Sequence, residues 1–143
     1  EHGRHCADCR ALPFASASQD ILMVQGGLHH LAVLPDDLER VLKEAARVLR
    51  PGGRLVVVEP WPTPFLSVVH AACRQPWLRR MFHKLDALAE MIQGERHTYE
   101  QWLRQPEVGL RCMEANFETE RKFPGWGKLM WGGRRGGAEV ISN

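Results

Sequence analysis

Residues 20 to 59 hold two short, unbroken apolar runs separated by one amphipathic segment, and this restricts the fold more than any other feature of the chain. Ile21-Leu22-Met23-Val24 is too short for a helix and lacks the alternation of a half-exposed strand. It reads as a parallel-sheet strand covered on both faces. Leu38, Val41, Leu42, Ala45, Val48 and Leu49 then recur at helical spacing. Asp36 and Glu39 after Pro35 predict a capping box, Arg50 suits the negative end of the helix dipole, and Pro51-Gly52-Gly53 predicts the stop. Leu55-Val56-Val57-Val58 is a second buried strand, ended by Pro60. Strand, helix, strand over this length is a βαβ unit, expected to cross over right-handed.

The flanks extend this unit. From Pro62 to Pro106 the pattern is helical and is read as an inserted cover: a short helix over Phe65–Ala72, then one long helix from Trp77 to Ile92 with a core-facing stripe, ended by Gly94. Thr98 and Gln101 predict a further capping box, opening a short helix through Trp102 and Leu103. The stripe also fits a lid. Its Arg79, Arg80, His83 and Lys84 read as a solvated face, while a membrane-surface role is weakened by Asp86 and Glu90. Phe117, Thr119, Arg121 and Phe123 alternate with charged residues, Pro124-Gly125 breaks the run, and Trp126–Trp131 resumes it, which predicts an antiparallel hairpin. Residues 132–143 lack periodicity and read as a frayed tail. The whole of 1–143 is expected to be a single, partial domain.

Composition removes several functional classes. With 44% hydrophobic and 25% charged residues the chain is ordinary globular material, and its net charge of +2 is too small for a nucleic-acid footprint. No apolar run approaches the ~18 residues of a membrane span. Cys6, Cys9, Cys73 and Cys112 do not form a disulfide framework, so reduced thiols in a cytoplasmic setting are expected. His2, His5, Cys6 and Cys9 offer four zinc-compatible ligands, but no second half-site lies at a finger-like distance. No metal is expected, and a zinc-binding module is the weakest reading.

Five strings narrow the fold further: Ala7-Asp8, Leu12-Pro13-Phe14, Asp20 opening a strand, Leu28-His29-His30-Leu31, and Arg47-Val48-Leu49-Arg50-Pro51-Gly52-Gly53-Arg54-Leu55. Together they resemble the small-molecule branch of the class I S-adenosylmethionine-dependent methyltransferases, of the methyltransferase type 11 kind. The resemblance is tight over about residues 6 to 60, and the hairpin supports it only by topology. It implies an α/β, Rossmann-like sheet with an antiparallel C-terminal hairpin, and methyl transfer from S-adenosylmethionine to a small-molecule acceptor. By that resemblance Asp8 takes the position of the carboxylate that accepts from the adenine amino group. Cys9 takes the neighbouring position whose backbone N–H meets an adenine nitrogen, and Leu12 is the apolar side chain beside the ring. Gln25, Gly26 and Gly27 lie at the carboxyl end of the strand, where open α/β sheets bind ligands. His29 and His30 are the candidate catalytic residues, facing the acceptor.

Other readings of the same residues stay open. Asp8 suits an ordinary turn, the His pair suits local packing, and Glu59 suits the cleft, a cap or a loop. Trp126 and Trp131 suit a subunit interface or an apolar acceptor. Base-methylating relatives carry Asn or Asp, then Pro-Pro and an aromatic, after the fourth strand, where this chain has Val24-Gln25-Gly26-Gly27-Leu28. The family's Gly-rich loop and its ribose-holding acidic residue find no counterpart before Asp8. The N-terminal strands are therefore expected to be absent, the isolated chain is expected to bind S-adenosylmethionine weakly or not at all, and the exposed sheet edge is expected to promote self-association. The alternative function is a non-catalytic fragment or partner subunit lacking the cofactor loop.

Overall fold

The computed structural model describes residues 6–94 and 96–137. The βαβ unit is present. Strand β1 (Gln19–Gln25) leads through a single 3-10 turn (Leu28–His30) into helix α1 (Asp36–Val48), which returns as strand β2 (Leu49–Pro60), parallel to β1. Five helices follow: α2 (Pro64–Cys73), α3 (Pro76–Met81), α4 (His83–Gly94), α5 (Arg96–Arg104) and α6 (Pro106–Asn116). Strands β3 (Glu118–Gly125) and β4 (Lys128–Arg134) form the antiparallel hairpin, and β4 inserts beside β2. Among the described residues the sheet order is β1-β2-β4-β3.

The core lies on one face of this sheet. Leu55 and Val57 of β2 and Leu129 and Trp131 of β4 point to that face. The α1 stripe of Leu38, Val41, Leu42 and Ala45 packs against them, joined by Trp102 of α5 and Leu110 and Met113 of α6. Each fully buried Leu or Val side chain there contributes about 1.5–3 kcal/mol relative to exposure.

The other face departs from expectation. Ile21 and Met23 are 64% and 63% exposed, so β1 is covered on one side only. The described helices that enter the core, α1, α5 and α6, pack on the opposite face of the sheet. The register carries the uncovered surface across the strands, because Met23 pairs with Val56, Val58 with Met130, and Met130 with Phe123.

Several local expectations are also corrected. Asp36 does not cap α1: Pro35 holds the cap position without a side-chain bond, and Asp37 instead accepts from the Val33 N–H at 3.2 Å. Thr98 lies inside α5 rather than at its start. The long helix expected from Trp77 to Ile92 is broken at Phe82, whose backbone is extended, and Trp77, Met81 and Phe82 are exposed rather than core-facing. Pro51-Gly52-Gly53 is not a loop after the helix but part of β2. Arg135 pairs with it, donating to the Gly53 carbonyl at 2.8 Å and accepting from the Gly52 N–H at 2.9 Å. The chain from Gly132 is thus ordered through β4, and residues 138–143 lie outside the described residues. Helix α6 escaped the sequence reading because Gly109 interrupts its pattern. A Cβ at Gly109 would stand 3.0 Å from the Trp102 ring, so the glycine is what lets α6 close onto α5.

Candidate functional site

The segment before β1 has little regular structure, and α1 holds it in place. Glu44 and Arg47, one turn apart, pair through Arg47 Nη2 and Glu44 Oε1 at 2.7 Å. The same carboxylate oxygen accepts from the Leu12 N–H at 2.7 Å, and Arg47 Nη2 donates to the Phe14 carbonyl at 3.0 Å. Burial of Leu12 follows from this strap. Leu12 and Cys9 line a small cavity of about 50 Å³ with Leu22, Val24 and Leu28, so two expected cofactor residues meet the core side of β1.

Asp8 lies at the edge of this arrangement, with its side chain 48% exposed. Arg10 grips it, with Nε 3.0 Å from Oδ1 and Nη2 2.9 Å from Oδ2, and reaches Asp37 through Nη1 at 3.1 Å. These hydrogen bonds from Arg10, side chain first and then backbone, hold the Asp8 carboxyl below its usual range. Asp8 does not line the small cavity, and both its oxygens accept from Arg10. The carboxylate has the acceptor chemistry that an adenine amino group needs, but the cavity beside Cys9 and Leu12 is far smaller than an adenine ring.

At the carboxyl end of β1 the chain reverses over Gly26, whose φ of +62° is a conformation glycine adopts without strain. The Gly26 N–H donates to the Val58 carbonyl at 2.9 Å. Glu59, at the end of β2 and 1% exposed, organises the rest. Its Oε1 accepts from the Gly27 and Leu28 N–H groups at 2.7 and 2.8 Å, and its Oε2 lies 2.7 Å from His29 Nδ1. A carboxylate accepts only, so this contact assigns the Nδ1 proton to His29 and turns Nε2 to the far side of the ring. The Gly26 and Gly27 amides thus have partners within the protein. These glycines set the path of the chain rather than offering donors to a ligand, and Gln25 stands exposed beside them.

The two candidate histidines separate in character. His29 is 6% exposed, whereas His30 is exposed, with its ring 4.1 Å from that of His29. Tyr99 of α5 meets His29 edge-on at 5.7 Å, and its hydroxyl lies 3.2 Å from His70 Nε2 on α2. Burial pushes the His70 pKa down, with the nearby Arg74 charge adding to the effect, and pushes the Tyr99 phenol up. Trp102, one turn after Tyr99, donates to the Pro60 carbonyl at 2.8 Å and so ties α5 to the end of β2.

Tyr99 and His70 were not legible as site residues, because nothing local in sequence links α2, α5 and the β1 loop. Glu59 carried a weak signal, an acidic residue closing a buried apolar strand. No group of three or more ligand-type side chains that could hold a metal occurs among the described residues; of the proposed zinc set, His2 and His5 lie outside them. No helix among the described residues is long and apolar enough to cross a membrane.

Residues 2–57 match the family described as methyltransferase domain. The ubiquinone/menaquinone biosynthesis C-methyltransferase UbiE of Paracoccus denitrificans is 30% identical over 128 residues, covering 87% of this chain and 45% of the relative. The demethylmenaquinone methyltransferase of Streptomyces avermitilis is 29% identical over 143 residues, covering 94% of this chain and 53% of the relative. The chain thus spans about half the length of these curated relatives. Among solved structures, an S-adenosylmethionine-dependent methyltransferase from Methanosarcina mazei superposes with a TM-score of 0.52 at 18% identity, covering 92% of this chain and 66% of the other. That likeness is one of fold, and it agrees with the Rossmann-like α/β sheet and antiparallel hairpin described above.

Proposed function

We propose that the chain, whose residues 2–57 match the methyltransferase-domain family, forms the later half of an enzyme that transfers a methyl group from S-adenosylmethionine to a small-molecule acceptor. The observation that carries the reading is the loop at the carboxyl ends of β1 and β2, where Glu59 clamps Gly27, Leu28 and His29 together. S-adenosylmethionine supplies, when bound, an electrophilic sulfonium methyl. The chain's own residues perform the positioning work. Asp8, Cys9 and Leu12 receive the adenine, and Gln25, Gly26 and Gly27 set the path of the chain beside it. Glu59 fixes the ring of His29, so that a proton leaving the acceptor is taken at Nε2, with His30 beside it on the open side. The names of the curated relatives support a quinone-like acceptor and a carbon methyl acceptor atom. The four cysteines are free thiols, which supports a reducing, cytoplasmic setting.

The test suits weak binding. S-adenosylhomocysteine is titrated to millimolar concentration into the isotopically labelled chain, and amide shifts are followed by NMR. The expected result is weak binding, with shifts gathered at Asp8, Cys9, Leu12 and Gln25–Leu28. Shifts gathered elsewhere refute the placement of the adenine.

A second reading, in which the chain acts only in association with another polypeptide, is favoured by the bare edge of β1 and by exposed Ile21 and Met23. Unpaired strand edges beside apolar side chains drive pairing. Sedimentation is expected to show concentration-dependent dimers, and Met23→Lys, which places a charge on that surface, is expected to shift the chain towards monomer. A monomer at all concentrations before substitution counts against it.

A further inference from the structure

The helical cover holds a cavity of about 540 Å³ between α2, α4 and α5, well within the roughly 300–1,000 Å³ of ordinary small-molecule sites. Cys73, Ala89 and Tyr99, all buried, line its inner part with Ile92 and Leu103. A single polar pair, the Tyr99 hydroxyl and His70 Nε2, 3.2 Å apart, interrupts this lining. The rim has the opposite character. Arg74, Arg96 and Arg104 surround one carboxylate, Glu100, whose Oε1 takes Arg96 Nε at 2.7 Å and whose Oε2 takes Arg104 Nη2 at 2.8 Å.

Two guanidiniums therefore share one acid, and the Arg74 guanidinium has no hydrogen bond or ion pair among the described residues. Among the described residues that line the rim, three positive charges stand against one negative. Guanidinium is the side chain best matched to carboxylate and phosphate, through paired N–H donors. His70 does not add to this charge, since burial and Arg74 both disfavour its protonated form. It serves as a neutral hydrogen-bonding group beside Tyr99. Tyr99 is also the wall between the cavity and the β1 loop, because its ring meets His29 on the other side.

We propose that this cavity binds an amphipathic organic anion, with a ring-sized apolar body against Ile92 and Leu103 and a carboxylate or phosphate held at the rim by Arg74 and Arg104. The binding of this anion does not depend on the methyltransferase reading given above.

The experiment uses three probes on the labelled chain: 1-naphthoate, 1-naphthyl phosphate and neutral 1-naphthol. Both anions are expected to saturate and to shift amides of the α2 end, α4 and α5, with 1-naphthol at least roughly tenfold weaker, the factor that about 1.4 kcal/mol of charge recognition gives. The tighter of the two anions identifies the head group. Arg74→Ala and Arg104→Ala, both surface changes, are each expected to weaken the anions severalfold and leave 1-naphthol unchanged, and raised salt is expected to act in the same direction. Equal binding of 1-naphthol, anions insensitive to both arginine variants, or shifts confined to the uncovered face of the sheet overturn the proposal. Failure of the S-adenosylhomocysteine titration shows on the Asp8 and Gln25–Leu28 amides and leaves this result standing. The two ideas therefore fail separately.

Discussion

Glu59→Ala is expected to lower the urea midpoint of this chain more than any other polar substitution, by the equivalent of about 3–5 kcal/mol. The carboxylate is buried and accepts three donors at 2.7–2.8 Å: two backbone N–H groups and one ring nitrogen. Removing it orphans all three, and each unsatisfied buried donor costs about 1–3 kcal/mol, less what water recovers on entering the space. Against a whole-domain stability of roughly 5–15 kcal/mol this is a large share. Glu59→Gln separates the contributions. It keeps an oxygen for Gly27 and Leu28 and changes only the group facing His29, so a loss of about 1–2 kcal/mol is expected. If Gln costs as much as Ala, the His29 contact dominates. If neither variant moves the midpoint, the loop is not held by Glu59.

Trp102→Ala is expected to cost about 3–5 kcal/mol, the range for deleting a buried aromatic ring. The ring is 1% exposed, stacks against the bare Cα of Gly109, and hydrogen-bonds the Pro60 carbonyl through Nε1. Trp102→Phe retains much of the packing and drops the hydrogen bond, for an expected loss of about 1–2 kcal/mol. Circular dichroism across a urea series measures both variants. The larger change also has a positional signature: α5 carries Tyr99, so loosening Trp102 is expected to broaden the His29 and His70 ring resonances. Loss of stability with both ring signals unchanged shows that α5 is not what places Tyr99.

The sequence made the βαβ unit and the hairpin legible, for the same physical reason in each. Their patterns are local, and burial against immediate neighbours settles them. The α1 stripe and Leu55 and Val57 needed nothing beyond their own spacing. What could not be read depends on long-range closure. Phe82 breaks a regular stripe without any proline or glycine at the break, and Gly109 hides a helix because its packing reason, the Trp102 ring, lies on another element. The site divides in the same way. Asp8, Cys9, Leu12 and Gln25–Gly27 were placed as candidates by a resemblance that rests on motif order along the chain. Tyr99 and His70 arrive from helices that no spacing rule connects to β1. Glu59 was noticed but not understood, since its three donors lie about thirty residues earlier.

The two borders of the sheet are not alike. Along β3 the residues are exposed, charges of both signs are present, Pro124 removes a donor, and the ladder slips between Thr119 and Arg121. Such a border resists a further strand. Among the described residues β1 is less protected: its ladder slips only at its start, between Gln19 and Ile21, and no proline interrupts it. A particle with one reactive and one blocked end behaves like a chain terminator in polymerisation: two copies joined at β1 present only blocked ends, and growth stops there. Pairing through β1 alone would therefore stop at two copies of this stretch, because both ends of the joined sheet would be β3 borders.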